Sequence, residues 1–399
     1  MKAVFFPLSV LLAVQVVISL AVGTVPLYAV SAAPDMNVDL GMVGFFTAIT
    51  YFASTVSAPY GGGIAQRLGG VRASQVCLFF AGTGIGLTAI GWPPLFILSA
   101  LFLGVGLGQA TPASSHILVD KTPPALLPLV FSIRMTGVPG GNLFAGLLIP
   151  LLILLFGWRG SAVGVAMLCF LFLLCIHPLK PRFDTELFTR KDGQSIDRAS
   201  FLGPIKLVLA SAPLRILSIA SFLYCGAQLA LTAYLAVYYV EVGQMSLVDA
   251  GLAVSVAYGF GVVVRVLVTG FVVHWIRPLI IFGLLGWGIA LSCLVLTQLN
   301  ESWSMFWVLL LSAFMGASAM SWNGLFLSEV AHYAPQDKAA VATGGALSFA
   351  YFGAMVIPVL YGLGLSASGS YQPGFYALAG LTGIGGAMVL NVALRKRVN

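Results

Sequence analysis

The sequence predicts an all-helical integral membrane protein of twelve transmembrane helices, arranged as two six-helix halves that repeat one another. Three observations support this fold class. Of the 399 residues, 59% are apolar and only 8% charged, against about 25% charged residues in a soluble domain. Apolar segments of about 20 residues, the length of a membrane span, recur along the chain. Matching residues recur at offsets that agree to within one residue. We therefore expect a lipid-embedded protein and exclude a soluble enzyme.

The charged and cysteine residues exclude several other classes. A net charge of +7 does not indicate nucleic-acid binding, because the basic residues are scattered through short connectors. The five cysteines lie in apolar segments without metal-ligand spacing. No hydrolase triad or nucleotide-binding loop is present in the sequence. We therefore expect no catalytic residue, no cofactor, no metal and no pumping driven by ATP.

Breaks at charged, proline and glycine positions define the twelve predicted spans. They lie at residues 5–30, 41–65, 73–91, 94–119, 128–156, 160–178, 214–239, 248–273, 278–297, 303–330, 339–365 and 372–394. The first span follows a basic residue as a signal peptide does, but its apolar run exceeds the roughly 7–15 residues of a signal peptide. We expect it to be retained as a helix.

One long polar segment, residues 178–206, divides the chain into halves of similar length. It predicts an N-terminal bundle over 1–178, a linker over 179–207 and a C-terminal bundle over 208–399. Basic residues concentrate in this linker and in the connectors that share its side, which the positive-inside rule makes cytoplasmic. Both termini are then cytoplasmic, and the compact connectors indicate a bacterial inner-membrane protein.

The two halves repeat. Gly137 of the fifth span is matched by Gly344 of the eleventh, 207 residues later, and Gly62 of the second by Gly270 of the eighth, 208 residues later. Agreement of these offsets to within one residue predicts a duplicated six-helix unit with parallel repeats.

The connector after the second span carries a family motif. It reads Gly62-Gly63-Ile64-Ala65-Gln66-Arg67-Leu68-Gly69-Gly70-Val71-Arg72. This resembles the Gly-x-x-x-Asp-Arg-x-Gly motif of the major facilitator superfamily, with Gln66 at the acidic position, and the resemblance covers essentially the whole chain. It implies that fold and a secondary transporter working by alternating access. It also implies gating roles for Gly62, Arg67, Gly69 and Arg72, since in the family this connector latches the halves together. The alternative is an ordinary short loop with interfacial arginines.

The fifth span contains Gly137-Val138-Pro139-Gly140-Gly141, which resembles a segment often associated with proton-coupled antiporters of the superfamily. Pro139 removes a helix hydrogen bond, while Gly137 and Gly141 permit bending and close packing. We assign these three residues a gating role. A structural kink without bearing on transport direction is an equal alternative.

Arg265 is the main candidate for binding a substrate. It lies in the eighth span about ten residues, or roughly 15 Å of helix rise, before the cytoplasmic turn. A guanidinium at such depth costs about 3 kcal/mol, and no acidic residue at mid-depth offers a partner, so a substrate carboxylate is expected to bind it. Ser255 and Tyr258 are placed on its face. Arginines at comparable depth bind substrate anions in the oxalate/formate and monocarboxylate branches of the superfamily. The alternatives are a snorkelling side chain or a bond to helix carbonyls.

Other polar residues fall on the spans that line the cavity in the fold implied by the resemblance. The substrate candidates are Tyr51, Gln15, Gln109, His116, Tyr224, Gln228, Trp322, Asn323 and Tyr351, besides Tyr258. Each can equally form an interhelical hydrogen bond, and His116 is more typical of a packing histidine.

Three charged residues near span ends are gating candidates. Asp120 and Glu329 end the fourth and tenth spans, where we favour gate salt bridges to Arg67, Arg134 or Lys338 over a proton relay. We interpret Arg134 first as an interfacial cation that orients the fifth span.

Together these features predict a monomeric secondary transporter that takes up or exchanges a small organic anion, such as a carboxylate, with protons as coupling ion. The alternative is proton-driven efflux of drugs or other apolar compounds. A receptor or scaffold is disfavoured, because the sequence offers no extramembrane domain.

Overall fold

A computed structural model describes residues 2–38, 42–183 and 202–395 of the chain, and within these ranges there are helices and no strand. The helices are α1 (Lys2–Met36), α2 (Met42–Leu68), α3 (Gly70–Thr88), α4 (Pro93–Lys121), α5 (Leu127–Met135), α6 (Gly137–Cys175), α7 (Lys180–Phe183), α8 (Leu202–Ala210), α9 (Ala212–Glu241), α10 (Leu247–Gly270), α11 (Pro278–Leu296), α12 (Met305–Ala319), α13 (Trp322–Tyr333), α14 (Ala339–Ser368) and α15 (Gln372–Arg395). Three 3-10 turns lie at Pro124–Leu126, His177–Leu179 and Val272–His274. The all-helical prediction is confirmed.

Each predicted span falls on a helical segment. Among the described residues, nine stretches are long and apolar enough to cross a membrane. One of them, Pro124–Leu179, covers both the fifth and the sixth predicted spans. The backbone turns non-helical inside it at Gly157, with φ of 68°, at the predicted boundary. The second and third predicted spans correspond to α2 and α3, which are rich in glycine and serine and are not among the nine. The chain is thus a multi-pass membrane protein.

The helices belong to two compact units. The first comprises Met1–Ala210 with Ala334–Ser348, and the second comprises Ser211–Tyr333 with Phe349–Asn399. In the first unit α1 packs along α6 and α2 along α4, with α3 against both α4 and α6. In the second, α10 packs on α12, and α11 and α9 pack on α15. Most of the predicted linker, residues 184–201, lies outside the described residues.

Small residues determine how closely α2 and α4 approach. The Ser54 hydroxyl of α2 donates to the Gly104 carbonyl of α4 at 2.9 Å. A side chain at Gly108 would meet the Ser54 backbone. No hydrophobic driving force acts between helices in lipid. Close backbone packing and interhelical hydrogen bonds therefore hold α2 and α4 together.

A polar contact joins the end of α1 to the kink in α6. The Asp35 carboxylate accepts from Trp158 Nε1 at 2.9 Å and from Arg159 Nη1 at 3.0 Å. The Arg159 guanidinium lies over the Trp158 ring, 4.3 Å from its centroid. These bonds favour the charged carboxylate and hold the pKa of Asp35 below its usual value.

Candidate functional site

Arg265 lies on the face of α10 that packs against α12, and only 3% of its surface is exposed. Ala253, Ala257 and Gly261 precede it at four-residue intervals and are all buried, so they form one stripe along the helix. A Cβ at Gly261 would come within 2.7 Å of Met320 Cβ, and one at Gly316 would strike the Ala257 backbone. The small residues therefore bring α12 close enough for Arg265 to reach its backbone.

The tenth predicted span is broken where Arg265 meets it. Helix α12 ends at Ala319 and α13 begins at Trp322, which leaves the Met320 carbonyl at a helix end, outside the regular ladder. This carbonyl accepts a hydrogen bond from Arg265 Nη2. Of the two alternatives to substrate binding, the bond to a helix carbonyl is thus present and accounts for one nitrogen of the guanidinium.

The other two nitrogens of the Arg265 guanidinium take no part in this hydrogen bond. Its Nε and Nη1 are buried and have no hydrogen-bond partner among the described residues, whose carboxylates form no ion pair with it either. Ser255 is exposed and bonds its own helix carbonyl at Gly251, so the prediction that it shares the buried face of Arg265 is wrong. Tyr258 is half-buried on α10. The site is a buried cation with unused N–H donors, suited to an anion.

A second buried arginine lies in the first unit. Arg134 is 1% exposed, and its Nη1 donates to Thr111 Oγ1 at 2.6 Å while Nη2 donates to the Ala110 carbonyl at 2.9 Å. The interpretation of Arg134 as an interfacial cation is therefore wrong. Helix α5 begins at Leu127, so Arg134 lies about two turns inside it and faces α4.

Three substrate candidates of the second unit meet in an aromatic cluster. Trp322 Nε1 donates to Gln228 Oε1 at 3.0 Å. The Tyr224 ring lies 6.0 Å from the Trp322 ring and 5.0 Å from that of Phe282. Tyr224 and Trp322 are fully buried, so the structure gives them packing contacts. Asn323 and Tyr351 are half-buried.

In the first unit, the glycines of the fifth span contact α1. A Cβ at Gly137 would lie 2.9 Å from Gln15 Cβ, and one at Gly141 would lie 2.5 Å from the Val16 carbonyl oxygen. The helix is interrupted at Thr136, between α5 and α6, where Pro139 cannot supply the N–H for a fourth-neighbour bond.

Among the substrate candidates of the first unit, Gln15 bonds Ser19 at 3.0 Å. Of the other candidates, Gln109 is buried, and Tyr51 and His116 are half-buried.

The motif connector contacts the beginning of α14, within the same unit. Gln66 Nε2 donates to the Asp337 carbonyl at 2.8 Å, and a Cβ at Gly62 would lie 2.5 Å from the Ala340 carbonyl oxygen. Gly69, with φ of 89°, makes the turn between α2 and α3. Arg67 and Arg72 are exposed.

The acidic gating candidates have different surroundings. Asp120 pairs with Lys121 at 2.6 Å, and Glu329 is buried in α13. Their gate salt bridges to Arg67, Arg134 or Lys338 stay predictions. No group of His, Cys, Asp and Glu among the described residues could hold a metal ion.

Sequence reasoning missed the residues that position the two arginines. Met320 contributes a carbonyl, which has no side-chain signature, and Thr111 is one of many serines and threonines in apolar helices. Gly261 and Gly316 had a usable signal. Ala257 and Gly261 form a small-xxx-small pair, the common pattern of close helix contacts in membranes.

Comparisons with known proteins agree with this architecture. The sequence profile of the Major Facilitator Superfamily matches residues 11–358. "Probable anion transporter 6" of Oryza sativa subsp. japonica is 27% identical over an alignment of 242 residues that covers 57% of this chain. The chain spans 56% of that relative's length.

Solved structures share the fold at low sequence identity. The human organic anion transporter MFSD10 (TETRAN) superposes with a TM-score of 0.70 at 17% identity, covering 97% of this chain and 99% of that one. The E. coli Fucose:proton symporter FucP, in the outward conformation, gives a TM-score of 0.68 at 16% identity, covering 97% and 98%. Since the family profile spans most of the chain, the protein belongs to the Major Facilitator Superfamily.

Proposed function

We propose that this transporter takes up or exchanges a small organic anion, such as a carboxylate, and that Arg265 binds the anion. The observation that carries the proposal is the buried guanidinium whose Nε and Nη1 have no partner among the described residues. We further propose alternating access with protons as coupling ion.

The energetics favour an anionic ligand over a neutral or cationic one. Placing an arginine at the centre of a membrane helix costs about 3 kcal/mol, and the Met320 carbonyl offsets only part of this. A carboxylate would neutralise the charge and accept charge-assisted hydrogen bonds, each worth about 1.5–3 kcal/mol. A cationic substrate would be repelled.

The names of similar proteins support the same class. The rice relative is described as an anion transporter and the human structural neighbour as an organic anion transporter. FucP is described as a proton symporter, which supports proton coupling as a working assumption. Cytoplasmic termini, based on the charge distribution of the connectors, and a bacterial inner membrane, based on their compactness, complete the proposal together with a monomeric state.

Proton-driven efflux of apolar compounds is the second candidate, based on the glycine-rich segment of the fifth span. Gly137 and Gly141 pack against α1, which accounts for both glycines without reference to transport direction. The segment therefore favours efflux less than Arg265 favours an anion.

Transport by the purified protein in proteoliposomes tests the proposal. Labelled mono- and dicarboxylates and a lipophilic cationic dye are compared for the wild type, Arg265→Gln and the control Arg277→Gln. Arg277 also donates to a carbonyl, that of Ala393 at 3.2 Å, but it is exposed. We expect saturable carboxylate uptake in the wild type and the control, and at least a tenfold loss in Arg265→Gln. Unchanged uptake in Arg265→Gln, or transport of the dye alone, would refute it.

A further inference from the structure

A cavity of about 290 Å³ lies within the first unit, between the second half of α1 and the first turns of α2 and α4. Its volume is at the lower end of small-molecule sites. The lining is apolar apart from one tyrosine hydroxyl, and includes Val25, Ala32, Phe46, Ile49 and Phe96. Such a lining offers nothing to hold a carboxylate or another small polar solute, so its ligand is expected to be hydrocarbon.

Two of the residues that line the cavity also have exposed side chains on the surface of the unit. Phe45 is 66% exposed and Ile97 54% exposed. Ile97 belongs to α4, a stretch apolar enough to cross a membrane. Large exposed apolar side chains on membrane-crossing helices contact hydrocarbon, since contact with water would be unfavourable. We therefore expect the cavity to open to the bilayer interior.

A polar, charged rim formed by Asp35, Trp158 and Arg159 borders the cavity. Trp158 lies against two lining residues, with ring centroids 5.6 Å from Tyr28 and 6.5 Å from Phe96. It donates to Asp35, which also pairs with Arg159, and the side chains of Asp35 and Arg159 are each 50% exposed. Tryptophans of membrane proteins concentrate at the bilayer interface, so the rim is expected at the depth of lipid headgroups.

An apolar cavity with exposed apolar side chains at its edge and a charge pair beside it matches the polarity of a phospholipid. We propose that the cavity binds one acyl chain of a membrane phospholipid, with the headgroup at the rim formed by Asp35, Trp158 and Arg159. The opposite charges of the rim fit a headgroup that carries both a phosphate and an ammonium, such as phosphatidylethanolamine. This inference is independent of the proposed substrate, because Arg265 belongs to the other unit.

Native mass spectrometry of the protein with phosphatidylethanolamine tests this site. Two variants obstruct it: Ile49→Trp fills the cavity, and Ile97→Trp blocks its exposed mouth, where a larger side chain does not disturb the core. Leu147→Trp is the matched control, since Leu147 is exposed on α6 and does not line the cavity. We expect one phospholipid retained after delipidation by the wild type and Leu147→Trp, and at least a tenfold loss in both obstructing variants.

Crosslinking locates the bound chain. With phosphatidylethanolamine bearing a diazirine on its acyl chain, labelled wild-type peptides should concentrate in residues 25–36, 45–49 and 93–97, and Ile97→Trp should lose this labelling. Equal lipid retention in all four proteins would overturn the proposal. So would labelling spread evenly over the exposed helices, or binding of a free fatty acid without the phospholipid.

Discussion

Arg265 combines a high energetic cost with an incomplete set of partners. Its position could be predicted from the sequence because a basic residue far from any predicted connector is unusual in a chain with 8% charged residues. Its carbonyl partner could not, since backbone groups have no sequence signature. For Arg134, the sequence-based interpretation of the position itself was wrong. Its position near a predicted span end indicated the interface, whereas the structure buries it against Thr111 and Ala110.

The Thr111 hydroxyl is expected to stabilise the first unit through Arg134. Thr111→Val keeps the side-chain shape but removes the hydroxyl acceptor of Arg134 Nη1 and leaves that nitrogen the weaker Met135 Sδ acceptor, a loss of about 1–3 kcal/mol. Thermal unfolding of the purified protein should show a clear loss. Thr55→Val is the matched control, because the Thr55 hydroxyl bonds a carbonyl of its own helix, that of Tyr51 at 2.8 Å. Equal effects of the two substitutions would contradict the role of Arg134 as an interhelical tie.

The contact of Asp35 with Trp158 and Arg159 is expected to persist over the whole physiological pH range. The folded-state pKa of Asp35 is lowered by these two donors, so its contribution to stability is present above the unfolded pKa of about 3.9 and is lost as the pH falls through the folded value. The difference in melting temperature between the wild type and Asp35→Asn should therefore be constant from about pH 8 to about pH 5.

Melting curves at a series of pH values check this expectation. The difference in melting temperature between the wild type and Asp35→Asn should shrink only below about pH 4. Glu301→Gln, which alters an exposed carboxylate in another connector, should match the wild type throughout. A difference that vanished between pH 8 and pH 5 would show that another group controls the contact.

The helices themselves were largely predictable, because hydropathy and breaks at glycine, proline and charged residues report contact with lipid. The break at Gly157 was predicted for the same reason. The break between Ala319 and Trp322 was not, since Met320 and Ser321 are neither proline nor glycine and the flanking residues remain apolar. An interruption stabilised by a neighbouring arginine depends on tertiary contacts, which a hydropathy pattern does not contain.

Close packing of α10 on α12 is expected to support the anion site. Gly261→Ala would place a Cβ 2.7 Å from Met320 Cβ, forcing the helices apart and moving Arg265 away from the Met320 carbonyl. Overpacking of this kind costs about 1–3 kcal/mol. We expect a lower melting temperature and weaker carboxylate uptake.

Gly259→Ala provides the control on the same helix. A Cβ there meets nothing within 4 Å, and alanine is the better helix former by about 1 kcal/mol. Its stability and uptake should match or exceed those of the wild type. If Gly261→Ala behaved like Gly259→Ala, the close approach of α10 and α12 would not be needed for the site.

At the scale of the molecule, two arginines are buried among the described residues, one in each unit, and their surroundings differ. Arg134 donates through both terminal nitrogens, to the Thr111 hydroxyl, Met135 Sδ and the Ala110 carbonyl. Arg265 donates through Nη2 alone, and its Nη1 is buried without a partner among the described residues. The sequence repeat at an offset of 207 to 208 residues therefore does not extend to the two buried arginines. This asymmetry is consistent with one structural arginine and one that binds the transported anion.

Binding of a carboxylate to the purified protein, measured by its effect on the melting temperature, tests the central claim most directly. The carboxylate that the wild type transports best should raise the melting temperature of the wild type and of Arg277→Gln. Loss of one charge-assisted contact of about 1.5–3 kcal/mol should weaken the affinity of Arg265→Gln roughly 10- to 100-fold. The carboxylate concentration that gives half the shift should rise by that factor. An equal shift at equal concentration in Arg265→Gln would contradict the assignment of Arg265 as the anion-binding residue.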